Sequence, residues 1–306
     1  MHVGEWPYAG RGDAPMFVCV HGLGGSHANW DLLAPRLAHY GHVWAPDLAG
    51  FGLTQPADRR PTVAENLDLL AGFVRTVSPD RPATVLGNSM GGLLTIMLAA
   101  RHPDLVLRLV AVNPALPPFR LRKVDPLVGL YFAAYLMPGV GEALLAWRTR
   151  TLTPEQQVRE TMRVCMADPS RADEEIVASH AELVVRRRTL PHAHPMFLAA
   201  ARSLLRHLLL HRDQVWADVE AVQVPAMLIH GGVDRLISVV AAHQVARHRP
   251  DWTVRIYPDL GHLPMLEAPD QVGDDVEAWL QGHRLSEPPG GSGYPPSTDT
   301  RPPPGP

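Results

Sequence analysis

Residues 87–92 read GNSMGG, and Ser89 within them is a residue type able to attack a carbonyl carbon once its proton is removed. Gly87, Asn88, Ser89, Met90 and Gly91 fit the G-x-S-x-G pattern at the junction between the apolar run ATVLGN (83–88) and a helical stretch. A backbone that reverses this tightly crowds the side chains two before and two after the turn residue. Only small residues fit there, which accounts for Gly87 and Gly91. The serine is left in the open at a helix N-terminus, where free N–H groups favour negative charge.

A base and a carboxylate must follow if the hydroxyl is to react. Asp234 lies in HGGVDRLIS after the run AMLIHG (226–231), and His262 lies in YPDLGHLPMLEAP after TVRIYP (253–258). In a parallel sheet, loops that follow strands gather at one edge, so all three side chains share that edge in the chain order Ser, Asp, His. His262 stands apart among the 16 histidines, because a strand end delivers it and Gly261 precedes it. His102, His180, His207, His211, His243 and His248 fall in helical or basic settings and read as packed or surface residues. Asp259 is the rival acid, but it sits three residues before the histidine in the same loop, and Asp234 is favoured.

A glycine-rich loop supplies the fourth part. In VCVHGLGGSHANW (18–30) a strand opens into a loop where the Leu23 N–H, paired with the Met90 N–H, would form an oxyanion hole. His21 reads as ordering that loop by hydrogen bonding. The competing pattern is the dinucleotide-binding G-x-G-x-x-G, which Gly22 and Gly24 match only partly, since position 27 is not glycine.

The elements that must hold these residues alternate. Six core strands, at 16–20, 42–47, 83–88, 107–113, 226–231 and 253–258, are separated by helical stretches at 29–40, 62–77, 90–101, 238–248 and 270–281. That rhythm predicts an α/β fold: a mainly parallel, doubly wound sheet with helices on both faces. The rhythm breaks between NPALPPF (113–119) and Pro225, where helices follow one another, opened by signals such as TPEQQ at 153 and ADEE at 172. The expected organisation is a core of residues 1–118 and 220–284, and a helical lid of residues 119–219 inserted between strands. Residues 285–306, rich in Pro, Gly and Ser, are expected to be a disordered tail.

Composition narrows the partners. With 306 residues, 46% hydrophobic and 19% charged, the chain buries a large core. A formal charge of -3 provides no broad field to draw nucleic acid or an anionic membrane, so the expected partner is a small molecule. The N-terminus lacks the basic start and apolar stretch of a signal peptide, and the longest apolar stretch, 127–137, is too short to span a bilayer. A cytoplasmic location without stable membrane insertion is the expectation. Cys19 and Cys165 both fall in apolar or helical patterns and read as buried thiols, neither a disulfide nor a metal site.

Taken as a set, HGLGG (21–25), PDLAGFG (46–52), GNSMGG (87–92), GGVDRLIS (231–238) and GHLPMLEAP (261–269) resemble recurring blocks of the α/β-hydrolase superfamily. The resemblance covers about residues 3–283 apart from the insertion. It implies acyl transfer to water without metal or organic cofactor: Ser89 attacks, His262 relays the proton and Asp234 orients the imidazole. Epoxide hydrolases and haloalkane dehalogenases carry aspartate where this chain has Ser89. The GNSMGG spelling is similar to that of meta-cleavage-product hydrolases, which cut carbon–carbon bonds and commonly carry a tryptophan after the histidine and an arginine from the lid. Leu263 departs from the first, and Arg186, Arg187 and Arg188 offer candidates for the second. Carboxylic ester hydrolysis therefore leads and carbon–carbon hydrolysis follows. Some members of this fold keep the triad yet act as small-molecule receptors, a third reading. An apolar acyl pocket is expected from Trp30 and lid residues such as Met162 and Met166.

Overall fold

Seven strands form one sheet: β1 (Val3–Trp6), β2 (Met16–Val20), β3 (His42–Pro46), β4 (Ala83–Asn88), β5 (Val106–Val112), β6 (Ala226–Gly231) and β7 (Thr253–Tyr257). Their spatial order is β1-β3-β2-β4-β5-β6-β7. All neighbours are parallel except β1, which runs antiparallel to β3 at the edge. The computed structural model describes residues 1–10, 14–117 and 125–283.

Every residue of β4 and β6 is buried. Such uninterrupted buried, mostly apolar runs arise where helices cover both faces of a parallel sheet. Successive side chains point to opposite faces. Val18 and Val20 accordingly join one core cluster with Leu93 and Val215, whereas Phe17 and Cys19 join the other with Leu37 and Val276.

Two helices come before the lid on either side of the sheet, the short α1 (Ala34–Leu37) and the longer α2 (Val63–Val77), followed by α3 (Met90–Arg101) directly after β4. Thr62 caps α2 by accepting a hydrogen bond from the Glu65 N–H at 3.1 Å. The helix expected over 29–40 is broken into a 3-10 turn, His27–Trp30, and α1. Pro35 is the physical reason, because a helix running through it would lose the N–H that bonds residue 31.

Between β5 and β6 come α4 (Pro126–Leu136), α5 (Val140–Thr151), α6 (Pro154–Cys165), α7 (Glu174–Arg188), α8 (Ala193–Leu210) and α9 (Arg212–Ala221). The start signals read in the sequence act as caps: Thr153 accepts from the Gln156 N–H at 3.2 Å and Asp173 from the Glu175 N–H at 2.9 Å. The last of these helices rejoins the sheet. Val215, Trp216 and Val219 of α9 lie in the same cluster as Leu93 and Ile96 of α3, and Arg101 grips Asp218 with two bonds of 3.0 and 2.7 Å.

The chain closes with α10 (Val239–His248), α11 (Pro264–Glu267) and α12 (Pro269–Gly282). Strand β1 adds a seventh strand to the six expected; it is four residues long and contains Gly4, too little for a periodic signal. The disorder expected for residues 285–306 concerns positions outside the described residues. No single helix among the described residues is long and apolar enough to cross a membrane. Cys19 and Cys165 are free thiols, the first buried and the second half-buried.

Candidate active site

The register of the central strands brings the site together. Asn88 pairs with Val112, Val112 with Ile229 and Gly231 with Tyr257, so the loops after β4, β5, β6 and β7 leave the sheet at one edge. Ser89 sits at the first of these exits with φ 57° and ψ -117°, a conformation rarely adopted by side-chain-bearing residues. A Cβ at Gly87 would overlap the Gly91 carbonyl, and one at Gly91 would overlap the Val20 carbonyl. The two glycines are therefore dictated by close backbone approach, as the elbow pattern requires. The bend is held by the Ser89 N–H donating to Val112 O at 3.0 Å and the Ala115 N–H donating to Ser89 O at 2.9 Å.

The loops after β6 and β7 bring Asp234 and His262 into contact, with Nδ1 of the imidazole 2.7 Å from Oδ2 of the carboxylate. The Asp234 side chain is fully buried. Its other oxygen accepts the Leu236 and Ile237 N–H groups at 2.8 and 3.0 Å. Burial alone would raise this carboxyl's pKa, but the charge and hydrogen bond of His262, aided by His230 and the Ile237 N–H, hold it below its ordinary value. It is thus kept as a carboxylate, the form able to orient an imidazole. Asp259 lies elsewhere, paired with Arg171 at 3.0 Å.

Two asparagines and a glutamate tie the loops together, and sequence reasoning assigned a role to none of them. Asn113, at φ 44° just beyond β5, donates from Nδ2 to Asp234 Oδ2 at 2.5 Å and to Gly261 O at 3.3 Å, and its Oδ1 accepts the Gly231 N–H at 3.3 Å. Asn88 donates to Val112 O and to His262 O, both at 3.2 Å. Glu267, 4% exposed, accepts the Gly261 N–H at 2.8 Å and the Asp168 N–H at 2.9 Å. The signal for Asn113 was an asparagine at a strand end, a residue type that tolerates left-handed backbone.

The glycine-rich loop lies against the nucleophile. A Cβ at Gly22 would come within 2.9 Å of the Ser89 Cβ, which places the Gly22–Leu23 backbone beside the serine. Met90 opens α3 directly after Ser89, so the two N–H groups expected to face an oxyanion belong to adjoining segments. His21, completely buried, donates from Nδ1 to Gly22 O at 2.7 Å and accepts the Leu48 N–H at Nε2 at 3.0 Å, which fixes one neutral tautomer. Burial lowers its pKa, in keeping with an ordering role.

The lid reaches the site at several points. The His262 N–H donates to Cys165 O at 2.5 Å, at the end of α6. Gly261 is needed beneath it, because a Cβ there would meet the Cys165 carbonyl. From α8, Phe197 packs on Gly24 and Met196 on Gly50. Arg187, the middle residue of the basic run, turns inward from α7 and donates to Gly24 O at 3.0 Å. Trp30, Met162 and Met166 are buried together in the cluster that contains Leu263 and Met265. Ser89 itself is only 8% exposed and His262 only 3%.

A parallel sheet with this elbow, this Asp–His pair and an inserted helical lid defines an α/β-hydrolase fold. Residues 17–275 match the Alpha/beta hydrolase family, and the chain belongs to it. It is 31% identical over 282 residues to the pimeloyl-[acyl-carrier protein] methyl ester esterase of Aromatoleum aromaticum, covering 88% of this chain and 99% of that one. It is 24% identical over 279 residues to the 2-hydroxy-6-oxo-6-(2'-aminophenyl)hexa-2,4-dienoic acid hydrolase of Metapseudomonas resinovorans, covering 90% and 87%. In three dimensions it is similar to the meta-cleavage product hydrolase of Pseudomonas fluorescens, with a TM-score of 0.68 at 19% identity over 92% of this chain and 93% of that one. The likeness at that identity shows the fold alone. Relatives of the chain thus include both esterases and carbon–carbon hydrolases.

Proposed function

We propose that the protein is a serine hydrolase that cleaves a carboxylic ester of a small, largely apolar substrate through an acyl-enzyme. The observation that carries this reading is the 2.7 Å bond between His262 and the buried Asp234 at the sheet edge where the Ser89 elbow emerges. His262, its Nδ1–H held by the carboxylate, takes the Ser89 proton at Nε2 as the oxygen attacks the ester carbonyl. The resulting oxyanion is stabilised by the Leu23 and Met90 N–H groups. The tetrahedral intermediate collapses, the imidazolium gives its proton to the departing alkoxide, and the alcohol leaves. Water, deprotonated by the same imidazole, then attacks the acyl-enzyme and releases the acid, restoring Ser89. The 31% identity to an esterase over nearly its whole length supports the choice of bond.

One observation favours a second reading. Arg187 reaches under the lid to the loop beside Ser89, a position from which a guanidinium would meet an anionic group on a substrate, as in a carbon–carbon hydrolase of a dienoate. Turnover of p-nitrophenyl esters of graded acyl length, measured beside a 2-hydroxy-6-oxo-dienoate, separates the two. Many turnovers on the esters with none on the dienoate are expected. Cleavage of the dienoate alone would overturn the ester reading, and a single stalled turnover on either would make the protein a ligand receptor.

A further inference from the structure

Three segments far apart in sequence meet behind the glycine-rich loop. The antiparallel register of β1 on β3 pairs Val3 with Pro46, so the residues that flank the pair, His2 and Asp47, also face each other. They are locked there by the Asp47 N–H donating to His2 O at 3.0 Å and the His2 N–H donating to Thr54 Oγ1 at 2.7 Å. His27, at the start of the 3-10 turn after the glycine-rich loop, enters from the third side. The Asp47 side chain is fully buried, while those of His27 and His2 are 18% and 36% exposed. The carboxylate is the floor of the cluster and the two imidazoles are its rim.

Four donors converge on Asp47. Two are backbone: the His27 N–H at 2.7 Å on Oδ1 and the Leu53 N–H at 2.9 Å on Oδ2. Two are imidazoles: Nδ1 of His27 at 3.0 Å on Oδ1 and Nδ1 of His2 at 3.0 Å on Oδ2. The backbone bonds fix the carboxylate from outside, as outer hydrogen bonds do for metal-ligating carboxylates. The imidazole bonds are of a different kind, because each can be exchanged. A neutral ring moves its proton to Nε2, which leaves a lone pair on Nδ1 facing the carboxylate. All three ligand atoms lie within 4.8 Å of one another. In a tetrahedral zinc site, bonds of about 2.1 Å place ligand atoms about 3.4 Å apart, so the N···O separations of 3.0 Å need only a small expansion.

We propose that His2, His27 and Asp47 form a binding site for a borderline divalent cation of the zinc class, with its remaining positions taken by water. Two imidazole nitrogens and one carboxylate suit Zn²⁺ over Mg²⁺, which prefers oxygen ligands. The bound ion replaces two imidazole–carboxylate hydrogen bonds with three metal bonds and fastens the N-terminal strand to the turn that follows the glycine-rich loop. The site is separate from the Ser89 machinery and approaches it through Leu48, whose N–H holds His21, and through the Asp47 charge that acts on that imidazole.

The test is calorimetric titration of the tag-free full chain with ZnCl₂, paired with thermal melts. One Zn²⁺ per chain is expected, with a melting temperature raised by about 5 °C at hundredfold saturation. His2→Gln and His27→Gln should each weaken binding at least tenfold, while His42→Gln, which breaks a different histidine–carboxylate pair with Glu5, should not. His2 is one-third exposed, so its variant keeps the experiment interpretable if the His27 variant does not fold. Lack of one-to-one binding, equal affinity for MgCl₂, or binding unchanged by His2→Gln would each overturn the proposal.

Discussion

The sheet edge and the lid are held by different means. At the edge, Asp234 alone takes bonds from His262, Asn113, Leu236 and Ile237, and the elbow is pinned on both sides of Ser89. The lid meets that edge through backbone contacts at Cys165 and Asp168, the Arg187 guanidinium and two side chains of α8. It also leaves large apolar side chains in solvent, with Leu130 67%, Trp147 56% and Leu210 70% exposed. The difference teaches a division of labour. On the proposed mechanism, the groups that would meet a transition state are fixed by redundant bonds to the sheet, whereas the lid, which would meet the variable end of a substrate, is held by fewer.

The sharpest test of that division is Ser89→Ala, expected to lower turnover by roughly a millionfold and to abolish labelling by a fluorophosphonate probe. Labelling that persists at another serine would move the reacting hydroxyl away from the edge. Asp234→Asn should leave the circular dichroism spectrum unchanged and slow kcat by about 10⁴-fold, because the amide no longer orients the imidazole. Full activity in that variant would relocate the acid.

Asn113→Ala removes bonds to Asp234, Gly261 and Gly231 without touching the reacting atoms. About a hundredfold fall in kcat with KM little changed is expected, since a small misplacement of the pair is costly. If Leu130→Ala in the lid costs as much kcat, the contrast between edge and lid fails. Glu267→Gln weakens two charge-assisted bonds that join the edge to the lid, and a melting temperature lower by about 2–6 °C is expected.

The smallest effect concerns His230, 1% exposed, whose Nε2 donates to Ile237 O at 3.2 Å behind Asp234. Burial lowers its pKa, opposed by Asp234 and the Ile237 carbonyl. The unfolded chain, with an imidazole near 6.5, therefore binds more protons than the folded one below about pH 6.5. Stability contributed by the neutral ring is present above that pH and is lost as pH falls toward the folded pKa. His230→Gln should flatten the fall in melting temperature between pH 6.5 and 5, and an unchanged slope would assign that fall to other groups.

Much of the edge was legible in the sequence because its constraints are local. Gly87 is forced by overlap with the Gly91 carbonyl four residues on, whereas the Gly91 constraint comes from the Val20 carbonyl of β2, and β4 and β6 are continuous buried, mostly apolar runs. What escaped was set at long range. Asn113 acts on residues 118 and 148 positions away, and Glu267 on Asp168, 99 positions away. Neither interaction leaves a periodic or spacing signal. Strand β1 is a short edge whose pairing comes from β3, while Pro35 is a local signal within 29–40 for the division into a 3-10 turn and α1.

The backbone at Ser89 has a further consequence. A conformation such as φ 57°, ψ -117° costs of order 1–3 kcal/mol for a residue with a side chain, and glycine adopts it far more readily. A glycine there would relieve that cost, in the GNSMGG run that already contains three. On the proposed mechanism the strained backbone at this bend and the attacking oxygen therefore belong to one residue.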